Sequence, residues 1–444
     1  MDKPVQIQIE LELINSTPKL NEIIKYINSH NAKDLENNNS IISELLELRP
    51  MFMYKVDNDD YISFNYFGCW NGTEKNTLSD SSLSGYKGLK SLEIMVDMMS
   101  KNNDVYKPIC SITSGDNYYG KDDTTDEQMV KYLNNGFDEF KDLKIPFFMS
   151  VGNHDVKLKK VFANEIYKSY MGTSINYTLN KITTNKWILP STNYVTRLQN
   201  NKNNCTVIFV DTNMFMQEYT WLDAAARTLA KNDIIKWLDA TITKEKINNN
   251  LNPSPIFIVG HHPFFAVGHK TKKPFIVNTD MDPLYNILVK HKIKFYLCAD
   301  EHNFQYIYDN SNDIHHVISG GASSGDESVP FIHQIDPYDS RGATPPINTS
   351  LKYNITVKIV INSPHYVNFR INNQSIIFDV ISFSTNEIHS LDHLTNKCVE
   401  STKLTKNDMY TVCYSQFIPK YPDYIFIMKC KEYIDQRHKE LNNL

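Results

Sequence analysis

The chain has 444 residues, of which 41% are hydrophobic, and carries a formal net charge of -5. At about 150 residues per domain, that length predicts two or three domains, or one large domain with extensions. The acidic balance argues against general nucleic-acid binding, and no apolar run approaches the ~20 residues that span a bilayer.

Near the start, Val5, Ile7, Ile9, Leu11 and Leu13 alternate with Gln6, Gln8, Glu10 and Glu12. This predicts an amphipathic strand and not a signal peptide. Thr17-Pro18 opens a helix, with a cap followed by proline at the first helical position. Leu20, Ile23, Ile24 and Ile27 carry its apolar stripe, and Ile41, Ile42, Leu45 and Leu46 predict a second helix. Asn37 to Ser40 reads as a polar loop between them, so residues 1–60 read as an N-terminal extension of strand plus helices.

From Tyr61 to about Asp326 strand and helix patterns alternate, which predicts an α/β sheet with helical cover. Leu92 to Met99, Met129 to Phe140 and Ile234 to Ile247 are the helical connections, the last with Ile235, Leu238 and Ile242 on one face. Pro283 to Val289 leads into the strand that ends at Asp300. After a polar linker at Pro337 to Asn348, apolar residues fall at period two in three short runs: Ile355 to Ile359, Val367 to Ile371 and Ile376 to Val380. They predict antiparallel strands with turns at Ser363-Pro364 and Asn372-Asn373. The main domain reads as 61–385. Residues 386–444 read as a C-terminal extension ending in a helix from Asp423, whose stripe of Ile427, Cys430, Ile434 and Leu441 packs on the core.

The seven cysteines are odd in number and scattered, with no Cys-x-x-Cys spacing. With no signal peptide, they predict free thiols in a reducing, intracellular and cytoplasmic setting. The sequons Asn71-Gly-Thr and Asn176-Tyr-Thr are expected by chance in an Asn-rich chain.

Five apolar runs end on groups that can bind a metal. Pro108 to Ser114 leads to Gly-Asp116-Asn-Tyr-Tyr119. Pro146 to Val151 leads to Gly-Asn153-His154-Asp155. Thr206 to Val210 leads to Asp211, Pro255 to Val259 to Gly-His261-His262-Pro263, and Lys294 to Ala299 to Asp300-Glu301-His302. Short runs rich in Val, Ile and Phe read as buried strands, and ligands gather at the carboxyl ends of strands in α/β sheets. Singly, Gly-Asn-His-Asp reads as a tight turn and His-His-Pro as a packed loop. In this order and placement, the set points to a two-metal centre assembled from distant segments.

The ordered motifs resemble the calcineurin-like metallophosphoesterases, and within them the small, tartrate-resistant type of purple acid phosphatase. The anchors are Gly68-Cys69-Trp70, Gly115-Asp116-Asn117-Tyr118-Tyr119, Gly152-Asn153-His154-Asp155, Gly260-His261-His262-Pro263 and Asp300-Glu301-His302. The resemblance implies a four-layer αββα sandwich of two mixed β-sheets with flanking helices, plus the terminal extensions. It implies two metal ions, iron and/or zinc with manganese as a further option, and hydrolysis of phosphate monoesters by a metal-bound hydroxide. On this resemblance Asp116 bridges the metals, Tyr119 and His302 hold one, and Asn153 and His261 hold the other. His154 and His269 are its catalytic histidines, with Asn153 and His154 beside the substrate phosphate. The phosphorylated substrate is not identified, and the terminal extensions are where a protein partner is expected.

Two positions depart from the family pattern. Cys69 stands where the family has Asp, and Asp300 where it has His, so one ligand of each metal is exchanged. A thiolate suits zinc or iron and not magnesium or calcium. Two readings stay open: a retuned, active metal centre, or a pseudophosphatase acting as a scaffold or binding protein. Ser323-Ser324 sits in a glycine-rich turn that more simply ends a strand, which leaves a serine hydrolase little support.

Overall fold

A computed structural model of the chain describes residues 9–13, 18–58, 61–71, 89–119, 145–173, 187–248, 254–266, 276–322, 355–361, 365–372, 375–383 and 410–419, with 125, 128, 133, 136, 139–140 and 143 between them. His269, most of the predicted helix at 129–140, and the predicted helix from Asp423 lie outside the described residues.

In chain order the strands are β1 (Ile9–Leu13), β2 (Met51–Val56), β3 (Ile62–Phe67), β4 (Cys110–Thr113), β5 (Phe147–Met149), β6 (Trp187–Ile188), β7 (Tyr194–Gln199), β8 (Asn204–Phe209) and β9 (Ile256–Val259). There follow β10 (Phe265–Ala266), β11 (Ile276–Val277), β12 (Phe295–Cys298), β13 (Phe304–Asp309), β14 (Ile314–Ser319), β15 (Ile355–Ile361), β16 (His365–Ile371), β17 (Ser375–Phe383) and β18 (Tyr410–Pro419). They form a nine-stranded sheet in the order β1-β2-β7-β8-β9-β12-β14-β13-β15 and a seven-stranded sheet in the order β18-β17-β16-β3-β4-β5-β6. A small pair, β10 and β11, stands apart.

Both large sheets are mixed. In the first, β8, β9, β12 and β14 run parallel to their neighbours in turn. In the second, β3, β4, β5 and β6 do the same. Parallel neighbours need crossovers, and helices supply them. Leu89–Lys101 joins β3 to β4, Ala224–Asn248 joins β8 to β9, and Asp282–Lys290 lies between β9 and β12. The sheets meet through one apolar layer. Phe64 and Phe369 from the second sheet contact Phe257 from the first, with ring centroids 5.6 and 5.7 Å apart. Burial of both faces explains why the central strands read as continuous apolar runs and not as alternating ones.

Several local expectations change. Asn37 to Ser40 is not a loop: helices span Ala32–Asn37 and Asn39–Glu47, with only Asn38 between them. Asn31 and Asn38 each accept a backbone N–H at the start of the following helix, so these asparagines are caps. The segment before residue 60 also supplies β2, which is parallel to β7 inside the large sheet. On Ala224–Asn248 the buried face is Ile234, Leu238 and Ile242, with Ile235 half-buried. β15 pairs with β13 and β16 with β3, so the chain changes sheets between β15 and β16, while β16 and β17 form the expected antiparallel pair. β18, inside the predicted C-terminal extension, adds a strand beside β17.

Candidate metal centre

Five strand ends meet at one place. β3, β4 and β5 of the second sheet lead into Cys69, Asp116 and Asn153, while β9 and β12 of the first lead into His261 and Asp300 with His302. Within each sheet neighbouring strand ends are tied together: Ala299 N–H donates to the His261 carbonyl (2.8 Å), and Cys69 N–H to the Gly115 carbonyl (3.0 Å).

The side chains fall into two groups sharing Asp116. In one, Cys69 Sγ, an Asp116 oxygen and a His302 ring nitrogen lie within 4.8 Å of one another. Cys69 Sγ is 3.8 Å from Asp116 Oδ2, and the Tyr119 hydroxyl donates to that same oxygen at 2.9 Å. Tyr119 Oη is also 3.5 Å from His302 Nε2. In the other group, His261 Nε2 is 3.2 Å from Asn153 Oδ1, 3.3 Å from Asp116 Oδ1 and 3.7 Å from Asp300 Oδ1. The two oxygens of Asp116 thus face different groups. His154 stands at the edge, its ring 4.6 Å from that of Tyr119 and its backbone N–H donating to Asp116 Oδ1 at 3.0 Å.

Backbone geometry at these positions is unusual. Cys69, Asp116 and Asp300 have φ of 51°, 55° and 64°. Such left-handed residues cost free energy for side chains other than glycine and cluster at functional sites. Asp adopts this region more readily than most residues, whereas Cys69 holds it without that advantage. Gly152 makes room for the cluster: a Cβ there would lie 2.2 Å from Asp116 Oδ1 and 2.8 Å from His261 Cε1.

Supporting residues fix the donors. His261 Nδ1 lies 2.7 Å from the Ser114 carbonyl, which can only accept. The neutral ring therefore carries its proton on Nδ1 and turns the Nε2 lone pair toward the cluster, the usual arrangement behind a metal-bound histidine. The Thr212 hydroxyl oxygen accepts from the backbone N–H groups of His261 and His262, both at 3.1 Å. Asp155 accepts from the backbone N–H of Asn117 (2.8 Å), Tyr118 (3.0 Å) and Gly152 (2.7 Å), locking the loops after β4 and β5 together. Asn117 joins that lock by donating to Asp155 Oδ2 (2.9 Å) while accepting from Trp70 Nε1 (2.8 Å).

Burial dominates the electrostatics. It pushes Asp155 up to about 7, helped by the Asp116 charge, and raises Glu165 well above the carboxylate range, helped by Asp155. Burial, then Asp116 and Cys69, hold the Tyr119 phenol well above its ordinary range. A phenolate at Tyr119 therefore calls for a nearby cation. Burial raises half-buried Glu218, and the Asp300 and Asp116 charges add to that rise against Lys157.

Asp211 ends a strand run but serves another purpose. It accepts from Tyr219 Oη (2.5 Å) and from Asn213 N–H (3.1 Å), capping a short turn. Asn117, Asp155, Glu165, Thr212 and Glu218 were not among the expected site residues. Asn117 and Asp155 lie within the quoted motifs, but nothing in the sequence marks Glu165, Thr212 or Glu218.

A family model for calcineurin-like phosphoesterases matches residues 86–304. Over those residues the chain is similar to that family, just under half of its length. Tartrate-resistant acid phosphatase type 5 from Mus musculus is 25% identical over 224 residues, covering 48% of this chain and 61% of that protein. The Homo sapiens protein of the same name is 22% identical over 225 residues, covering 49% and 62%. This chain thus spans less than two thirds of the length of these relatives. Among solved structures, "GAP50 the anchor in the inner membrane complex of Plasmodium" matches with a TM-score of 0.53 and 15% identity, over 82% of this chain and 91% of that one. That likeness is one of fold. The calcineurin-like phosphoesterase family is one of phosphoester hydrolases and implies a dinuclear metal centre. Among the described residues, no helix is long and apolar enough to cross a membrane.

The donor set fits such a centre. Two carboxylates flank His261, one of them fully buried, and a thiol and an imidazole face the other side of Asp116. Buried carboxylates at this spacing repel one another without a compensating cation.

Proposed function

We propose that the protein hydrolyses phosphate monoesters at a dinuclear metal centre. The observation that carries this reading is the convergence of Cys69, Asp116, Asn153, His261, Asp300 and His302 from five strand ends in two sheets, with three of them held left-handed. Asp116 is proposed to bridge, because its two oxygens face separate donor groups. Cys69, His302 and Tyr119 then complete one position, and Asn153, His261 and Asp300 the other. Bound cations supply the chemistry that lowers the pKa of water and offsets phosphoryl charge.

The chain's own residues orient the substrate. Asn153 faces the shared pocket beside His261, where its amide can donate to a phosphoryl oxygen. His154 is half-buried at the rim and reaches out from the backbone bonded to Asp116. Its imidazole is proposed to donate a proton to the leaving oxygen. His269, in Gly-His-Lys, is proposed as a second histidine at the substrate. The free thiols of Cys69, Cys110, Cys205 and Cys298 accord with a reducing, cytoplasmic setting.

The exchanged ligands at Cys69 and Asp300 favour one alternative, a pseudophosphatase that serves as a scaffold, with its terminal segments as the contact surface. The neighbour described as an anchor has this fold. Turnover of a generic aryl phosphate decides between them. The enzyme reading expects metal-dependent release of phosphate. It also expects kcat to fall by ~10²–10⁴ in His154→Ala, the range for loss of a general acid. Metal-loaded, folded wild type with no turnover of any phosphoester would establish the scaffold.

A further inference from the structure

The two departures from the family pattern act in opposite directions, and the structure assigns them to opposite pockets. Cys69 places a sulfur beside Asp116 and His302. Asp300 places an oxygen beside His261, where Asn153 and Asp116 already present oxygens. One pocket therefore gains a soft donor, while the other exchanges an imidazole for a hard one. Resting on the dinuclear reading above, we propose that the centre is heterodinuclear, with zinc in the Cys69 pocket and manganese in the Asp300 pocket.

Donor chemistry supports the assignment. Zinc binds thiolate, imidazole and carboxylate together, which is the set at Cys69, His302 and Asp116. Sets in which carboxylate and carbonyl oxygen predominate suit manganese, and the second pocket offers three oxygens, from Asp116, Asn153 and Asp300, beside the imidazoles of His261 and His262. Ferric iron beside Cys69 would tend to oxidise the thiolate, whereas zinc has no redox chemistry.

Geometry argues that Cys69 is kept as a donor and is not merely small filling. Its backbone holds φ of 51°, which a non-glycine residue adopts at a cost. Its N–H is tied to the Gly115 carbonyl at 3.0 Å, one residue before Asp116. A Cβ at Gly320 would meet the Glu301 carbonyl oxygen at 2.2 Å and approach Cys69 Sγ to 3.3 Å, so Gly320 leaves room for both. Cys110, Cys205 and Cys298 differ: they lie within strands, in the hydrophobic core.

The test uses the full chain, stripped of metal and titrated with cobalt(II), zinc and manganese(II). Cobalt bound to a thiolate gives a near-ultraviolet charge-transfer band, and manganese is read by electron paramagnetic resonance. Wild type should show the band, lose it on adding zinc, and retain manganese alongside the zinc. Cys69→Ser should abolish the band and weaken zinc binding by ~100-fold or more, beyond the ~10–100-fold typical of losing a supporting residue. Cys69→Asp guards against misfolding, because Asp tolerates the left-handed backbone. It should also lose the band, while circular dichroism and manganese binding stay as in wild type. Asp300→His should raise zinc uptake from one ion per chain to two.

A band that survives both Cys69 variants overturns the proposal. So does zinc filling both pockets of the wild type. In either case a centre that still binds two metals and turns over phosphoesters leaves the hydrolase reading standing. Failure to bind cobalt, zinc or manganese at all overturns both.

Discussion

Gly152→Ala adds one methyl group to the loop that carries Asn153. The Gly152 backbone has φ of −103°, a conformation alanine adopts freely, so the effect is steric and not conformational. The new Cβ would lie 2.2 Å from Asp116 Oδ1, 2.3 Å from Asp116 N and 2.8 Å from His261 Cε1. Two of these contacts are to proposed metal donors and one is to backbone, so no flexible chain end can yield. Overpacking of this kind costs about 1–3 kcal/mol. In a chain of this size that lowers the melting temperature by only a few degrees, on the order of 1–4 °C per kcal/mol. The effect on metal should be larger in proportion. Displacing the bridging carboxylate and one imidazole should weaken metal binding by at least ~10–100-fold. Differential scanning fluorimetry of the metal-free protein gives the first quantity, and metal retained after dialysis against a chelator gives the second. A variant that melts as wild type and keeps its full metal complement would refute this packing of Gly152 against Asp116 and His261.

Two further outcomes follow from residues outside the expected site. Burial raises the folded-state values of Asp155 and Glu165, so the metal-free folded protein binds extra protons below about pH 7. The stability from those protons is present in full below the unfolded carboxylate range near 4 and is lost as pH rises toward about 7. Urea unfolding of the metal-free protein should show a loss on the order of a few kcal/mol across that window. Glu165→Gln, which mimics the protonated acid, should flatten the slope; an unchanged slope would count against the buried pair. Thr212→Val removes the acceptor for the N–H groups of His261 and His262. It should cost about 1–3 kcal/mol for each N–H left unpaired and should loosen metal at the Asp300 pocket, which chemical unfolding and metal content together would show.

The fold was legible where burial on both faces left a continuous apolar run, as at Phe147–Met149 and Ile256–Val259. The same runs located Asp116, Asn153, His261 and Asp300, because each ends within a few residues of a strand. What the runs could not carry is direction. Asp211 follows a run of equal quality, yet it turns to Tyr219 and Asn213. Strand partners were equally hidden: a short gap after β15 looks like a hairpin, but β15 and β16 find partners in different sheets. Period-two patterning reports which face is buried and not which strand lies beside it. Asn38 reads as a loop residue in sequence because asparagine serves loops and helix caps alike. Thr212 supports a residue 49 positions away, Glu218 feels carboxylates still more distant in sequence, and Glu165 acts through burial beside Asp155, and none of these leaves a local mark.

Metal content per chain tests the central claim most directly. Protein purified in metal-free buffer, reloaded and measured by elemental analysis should hold two ions in the wild type. Asp116→Ala should hold close to none, because a bridging carboxylate serves both positions. Asn153→Ala and His261→Ala should each lose one ion and keep the other. Equal metal content in wild type and Asp116→Ala, with both proteins folded, would contradict the account.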